Sequence, residues 1–69
     1  MKKIQLIAYE NIIGVSASEL QYIDGIFKSP IELFDESRSN YSIANEMIDK
    51  YKLEISKLFN PSIQINFIE

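Results

Sequence analysis

The charged side chains that could do chemistry in this sequence are seven Lys and Arg and ten Asp and Glu among 69 residues, with no histidine and no cysteine. Histidine does most general acid-base work near neutral pH, and without it carboxylates could act as a pair. Glu32, Asp35 and Glu36 form the densest acidic group. On a short helix they make a solvated face with favourable charge near the N-terminus, which explains them more simply than a catalytic dyad does. The composition also removes the usual zinc ligands. Gly14 and Gly25 stand alone, so there is no glycine-rich phosphate loop, and no D-x-D-x-D-G run offers a calcium or magnesium site. We expect no enzyme activity, no cofactor, no metal and no small-molecule substrate.

Nucleic acid is a poor match for this charge pattern. The formal charge is -3, and Arg38 is the single arginine. Lys50, Lys52 and Lys57 interleave with Glu46, Asp49 and Glu54 instead of forming a basic face. Direct binding to DNA or RNA is therefore not expected. The converse idea is an acidic surface of Glu32, Asp35, Glu36, Glu46 and Asp49 that mimics DNA. A charge of -3 is modest for that purpose, and an ordinary solubilising surface accounts for it.

A protein partner fits better, and Leu53 is the residue that points to one. It lies nine positions after Ala44, so at about 100° per residue it projects away from the apolar stripe to which Ala44 belongs. Glu46, Asp49, Lys50 and Lys57 would ring it with mixed charge. An aliphatic anchor in a charged rim can dock a partner, although a lone surface leucine is commonplace and the simpler reading, and Leu53 could also be packed internally. The candidate partner-binding residues are thus Leu53, Glu46, Asp49, Lys50 and Lys57, with Glu32, Asp35 and Glu36 as a second group.

The elements that must position these residues follow from periodicity. Ala44, Met47, Ile48, Tyr51, Ile55 and Leu58 recur at helical spacing and predict one long helix over about 41–59. Ser39, Asn40 and Ser42 are its candidate N-caps, Asn60 can take a left-handed conformation at its end, and Pro61 cannot continue it. Ile63-Gln64-Ile65-Asn66-Phe67 alternates strictly and predicts a strand over 62–68. Residues 3–9 carry Ile4, Leu6 and Ala8 on one face and Ile7 and Tyr9 on the other, as a central strand does. A short strand over 12–15 could follow.

The middle of the chain offers two helix starts. Ser16-Ala17-Ser18-Glu19 matches a capping box, with Leu20, Ile23 and Phe27 behind it; the competing reading makes Asp24-Gly25 a hairpin turn. Ser29-Pro30-Ile31-Glu32 reads as the second start, sending Ile31 and Phe34 inward. The expected core of the longer elements is Met47, Ile48, Tyr51 and Ile55 with Ile63, Ile65 and Phe67.

Together these predict a single α+β domain over residues 1–69. A small two- or three-stranded sheet, built from the N-terminal and C-terminal strands, packs against the long helix and two short helical segments. Nothing approaches the apolar length needed to span a bilayer, and the opening basic stretch lacks a signal-peptide h-region, so a cytoplasmic setting is expected. Six lysines to one arginine and thirteen isoleucines suit A/T-rich codons, as in a low-GC bacterium or its phage. A domain this small without a disulfide or zinc staple usually gains stability by self-association or from a partner. The leading expectation is a non-enzymatic protein-binding module, such as a phage or mobile-element inhibitor of a host protein or an antitoxin-like neutraliser. The alternatives are a small nucleic-acid-associated regulator that acts as an oligomer or with a partner, and a homo-oligomeric structural protein.

Overall fold

The computed structural model of the chain describes residues 1–11 and 25–68. The expected strand over 12–15 and the body of the helix expected from Ser16 lie outside the described residues. In chain order the described elements are β1 (Lys2–Glu10), β2 (Ile26–Lys28), β3 (Glu32–Phe34), α1 (Asn40–Lys50), α2 (Lys52–Ser56) and β4 (Pro61–Ile68). They form a small α+β fold in which a four-stranded antiparallel sheet carries the helices on one face.

Every other strand pairs with β1. β4 lies along one side of it in unbroken register from Lys3↔Ile68 to Glu10↔Pro61. β2 and β3 share the other side, with Ile7↔Lys28 and Ile4↔Glu32 as their facing pairs. Between those two pairs Gln5-Leu6 on β1 faces Ser29-Pro30-Ile31, so the partner side carries one extra residue. That is a β-bulge, and β2 and β3 are the two halves of one bulged strand.

Here the structure corrects the second predicted helix start. Ser29 is only 2% exposed, and its hydroxyl accepts from the Leu6 N–H at 2.9 Å while donating to the Pro30 carbonyl at 2.9 Å. The Ser29 N–H donates to the Leu6 carbonyl at 2.9 Å, and the Ser29 carbonyl turns aside to the Gln5 side-chain amide at 3.0 Å. A hydroxyl able to cap a helix has completed a sheet ladder instead, next to a proline that has no N–H to offer. Glu32-Leu33-Phe34 is therefore a strand; Phe34 points inward, but Ile31 is exposed. Phe27 likewise belongs to β2 and not to a helical stripe.

The core lies between the sheet and α1. Ile4, Leu6 and Ala8 supply the sheet side, Ile43, Met47 and Ile55 the helical side, and Phe34 closes one end, with Phe27, Tyr51, Leu58 and Ile65 packed around them. Burial of these side chains supplies the main driving force for the fold. Ser39 is the N-cap of α1: its hydroxyl accepts from the Ser42 N–H at 3.1 Å. The row facing the sheet is Ile43 and Met47, which rotates Ile48 to the flank, where it is 37% exposed rather than a core residue.

The single long helix is the second correction. The chain leaves helical geometry at Tyr51 (φ -103°, ψ 22°) before resuming as α2, which ends at Ser56 rather than near Phe59. Tyr51 is held sideways there, its ring 5.5 Å from that of Phe27 and its hydroxyl donating to Glu32 Oε2 at 2.6 Å. Asn60 does adopt the left-handed conformation (φ 46°), and Pro61 opens β4 directly after it.

Candidate protein-interaction surfaces

β3 and α1 are joined by a polar triad. Lys50 Nζ donates to Glu32 Oε1 at 2.7 Å, and the Tyr51 hydroxyl takes the second carboxylate oxygen. Burial alone would raise the Glu32 carboxyl, but the hydrogen bonds from Lys50 and Tyr51 and the Lys50 charge outweigh it and hold it below its ordinary value. The same bonds raise Lys50 and Tyr51 above theirs. At the far end of α1, Arg38 bonds Glu46 Oε1 through Nη1 at 2.9 Å and the Ser42 hydroxyl through Nη2 at 2.7 Å, with its guanidinium 5.4 Å from the centre of the Phe34 ring. These side chains fasten the helix to the bulged strand.

The candidate residues therefore separate. Glu32, Asp35 and Glu36 sit on a strand and a turn, not on one helical face. Glu32 faces the helix. Asp35 Oδ1 accepts from the Ser37 hydroxyl at 2.7 Å and the Ser37 N–H at 2.8 Å, bonds that keep its carboxyl below the ordinary value. Glu36 lies 3.3 Å from the amino group of Met1. Within the proposed rim, Glu46 and Lys50 turn towards Arg38 and Glu32, while Asp49 and Lys57 remain exposed. Among the described residues, no three acidic side chains converge closely enough to hold a metal ion.

Leu53 is 76% exposed on α2, and Phe59, just beyond that helix, is 78% exposed. Phe59 escaped the sequence reading because the helix was expected to run through it; its place between the end of the helical stripe and Asn60-Pro61 was the available signal. A second apolar surface lies along β4. Ile63, Ile65 and Phe67 face the same side of the sheet as Ala8, Leu6 and Ile4, their register partners. Only Ile65 is half-buried against the core, since Ile63 stays 39% exposed and Phe67 46%, which corrects their expected place in it. The helices cover β1 and the bulged strand but leave β4 at the margin. A shallow recess lined by Lys2, Lys3, Asn40, Phe67 and Ile68 ends this surface.

The opposite sheet face differs in charge. Its strand residues include Lys3, Gln5, Ile7 and Tyr9 of β1, Ile26 and Lys28 of β2, Leu33 of β3, and Ser62, Gln64, Asn66 and Ile68 of β4, with no acidic residue among them. Among the described residues no helix is long and apolar enough to cross a membrane.

A two-layer α+β domain with apolar side chains at its margins is the class these features define. The chain matches no family model, no curated protein and no solved structure.

Proposed function

We propose that the protein is a non-enzymatic protein-binding module, a small inhibitor or neutraliser that docks onto another protein through the α2 end of its helical layer. The observation that carries this reading is the exposure of Leu53 and Phe59, an aliphatic and an aromatic side chain each more than three-quarters exposed, with the charged Lys57 between them in sequence. Large apolar anchors of this kind provide affinity, and charged neighbours set orientation and association rate. A phage or mobile-element inhibitor of a host protein suits the small size and acidic balance. The test is affinity capture from the native host with the parent chain and with Leu53→Asp. One stoichiometric protein should be held by the parent and lost with the variant, whose melting temperature should match the parent's because Leu53 is exposed. A partner retained by Leu53→Asp would count against this surface.

The sheet face whose described strand residues include no acid favours a second reading, a nucleic-acid-associated regulator acting as an oligomer or with a partner. Lys3 and Lys28 with Tyr9, Gln64 and Asn66 offer phosphate contacts, a ring for stacking and amides for base edges. Salt-sensitive retardation of single-stranded RNA, abolished by Lys3→Glu with Lys28→Glu, would favour this reading over the first.

A further inference from the structure

We propose that β4 is a self-recognition strand, pairing antiparallel with the β4 of a second copy about a two-fold axis through Ile65, so that two sheets become one continuous sheet. The first observation is the phase of the ladder. The Asn11 N–H donates to the Asn60 carbonyl at 3.3 Å in the register that runs through β1 and β4. Hydrogen-bonded and non-hydrogen-bonded pairs alternate in an antiparallel ladder, so Ser62, Gln64, Asn66 and Ile68 bond inward to β1. Pro61, Ile63, Ile65 and Phe67 consequently point their backbone groups outward. The complementary phase on the other side of β1 agrees, since the Glu10 N–H donates to Gly25 and Ser29 to Leu6. Among the described residues no strand pairs this outer edge of β4.

The second observation is the sequence along that edge. Ile63-Gln64-Ile65-Asn66-Phe67 has the same chemistry in both directions about Ile65. In a two-fold antiparallel pair centred there, Ile63 faces Phe67, Ile65 faces itself and Gln64 faces Asn66, with only the outer Ser62 and Ile68 mixed. An aromatic residue opposite a β-branched one is a favourable cross-strand pair. The same register lets Ile63, Ile65 and Phe67 exchange both backbone hydrogen bonds with their opposites. Shifting the axis to Gln64 would instead put Phe67 opposite Pro61, which has no N–H to give.

Charge selects a second copy as the occupant. β4 carries no ionisable side chain from Pro61 to Ile68, although the chain as a whole carries -3. Sheet edges that must stay apart usually carry lysine, proline, a bulge or an inward charge; this one has a proline only at its first residue, Pro61, and none of the others over its length. Two acidic molecules can meet along an uncharged seam without placing like charges opposite each other. Both helical layers then lie on the same side, and the two stripes of Ile63, Ile65 and Phe67 cover one another. A seam of one strand pair belongs to the smallest interface class, so the dimer is expected to be weak and to exchange.

Sedimentation equilibrium of the whole chain at concentrations up to about 1 mM should show reversible dimerisation. Ile63→Lys and Phe67→Glu, both at exposed positions, should each weaken it at least about ten-fold while circular dichroism stays unchanged. Mixing the two variants should restore a dimer, because the new lysine and glutamate face each other in this register alone. Amide exchange of the parent needs no variant: Ile63, Ile65 and Phe67 should lose protection on dilution while Gln64 and Asn66 keep theirs. A chain monomeric at about 1 mM, variants that dimerise like the parent, or a mixture that fails to recover would each overturn the proposal. None of these measurements involves the Leu53 surface, so the two readings stand or fall separately.

Discussion

Ser29→Ala removes a single oxygen from the molecule and should cost far more than its size suggests. That oxygen is the acceptor for the Leu6 N–H, and the bond is buried. Alanine fits the space but leaves a backbone donor in the middle of β1 with nothing to bond, because the Ser29 carbonyl has already turned to Gln5. A buried donor left unsatisfied costs about 1 to 3 kcal/mol, and the Pro30 carbonyl, which loses its donor, lies partly in solvent and adds little. About 2 kcal/mol is the expected total. For a domain of this length that lowers the melting temperature by about 8 to 16 °C. Urea denaturation gives the free energy, and amide exchange at Leu6 locates it, since the Leu6 amide should lose protection before those of Ile4 and Ala8. A Ser29→Ala protein melting within about 2 °C of the parent would refute the account of the bulge.

Truncation should separate the two isoleucines of α1. Ile43→Ala should cost about 2 to 5 kcal/mol, whereas Ile48→Ala at the exposed flank should cost less than about 1 kcal/mol, as measured by chemical denaturation. The triad predicts a stability plateau with two limits. Glu32 is held below its ordinary value of 4.5, so its contribution is full above that value and is lost as pH falls through the lowered one. Lys50 and Tyr51 are held above 10.5 and 10.0, so theirs is full below those values and is lost as pH rises through the raised ones. Glu32→Gln should flatten both limbs of a stability-against-pH curve. Asn60→Ala should cost about 1 to 2 kcal/mol because alanine disfavours the left-handed backbone, while Asn60→Gly should be close to neutral in the same denaturation assay.

Long periodic segments were legible in the sequence, and short ones were not. The alternation in β1 and β4 specified both strands almost to their ends, and Asn60-Pro61 marked the reversal between helix and strand. Helical spacing found the α1–α2 region but could not reveal the departure at Tyr51, whose hydroxyl and ring meet Glu32 and Phe27, distant in sequence. The same limit misread Ser29-Pro30-Ile31-Glu32. Locally those residues are a good helix start, and only the presence of β1 alongside gives the hydroxyl a better partner. The angular position of Leu53 away from the apolar stripe was legible because it needs no tertiary information, but its exposure depends on what packs around α2 and was not. The scattering of Glu32, Asp35 and Glu36 was not legible, since it depended on the strand that replaced the expected helix.

The pairing of β1 with β4 also fixes when this protein can fold. The central strand is synthesised before every other described element, and its longest ladder joins Lys3 to Ile68 and Glu10 to Pro61. Bringing such remote segments together requires closing a long loop before the contacts that reward it exist, so folding should be slow for so small a domain. During synthesis β1 must wait, the backbone edge that bonds β4 unpaired, until residues 61–68 have emerged. Completion of the sheet thereby waits for β4, and the nascent chain is a candidate for chaperone protection throughout that interval.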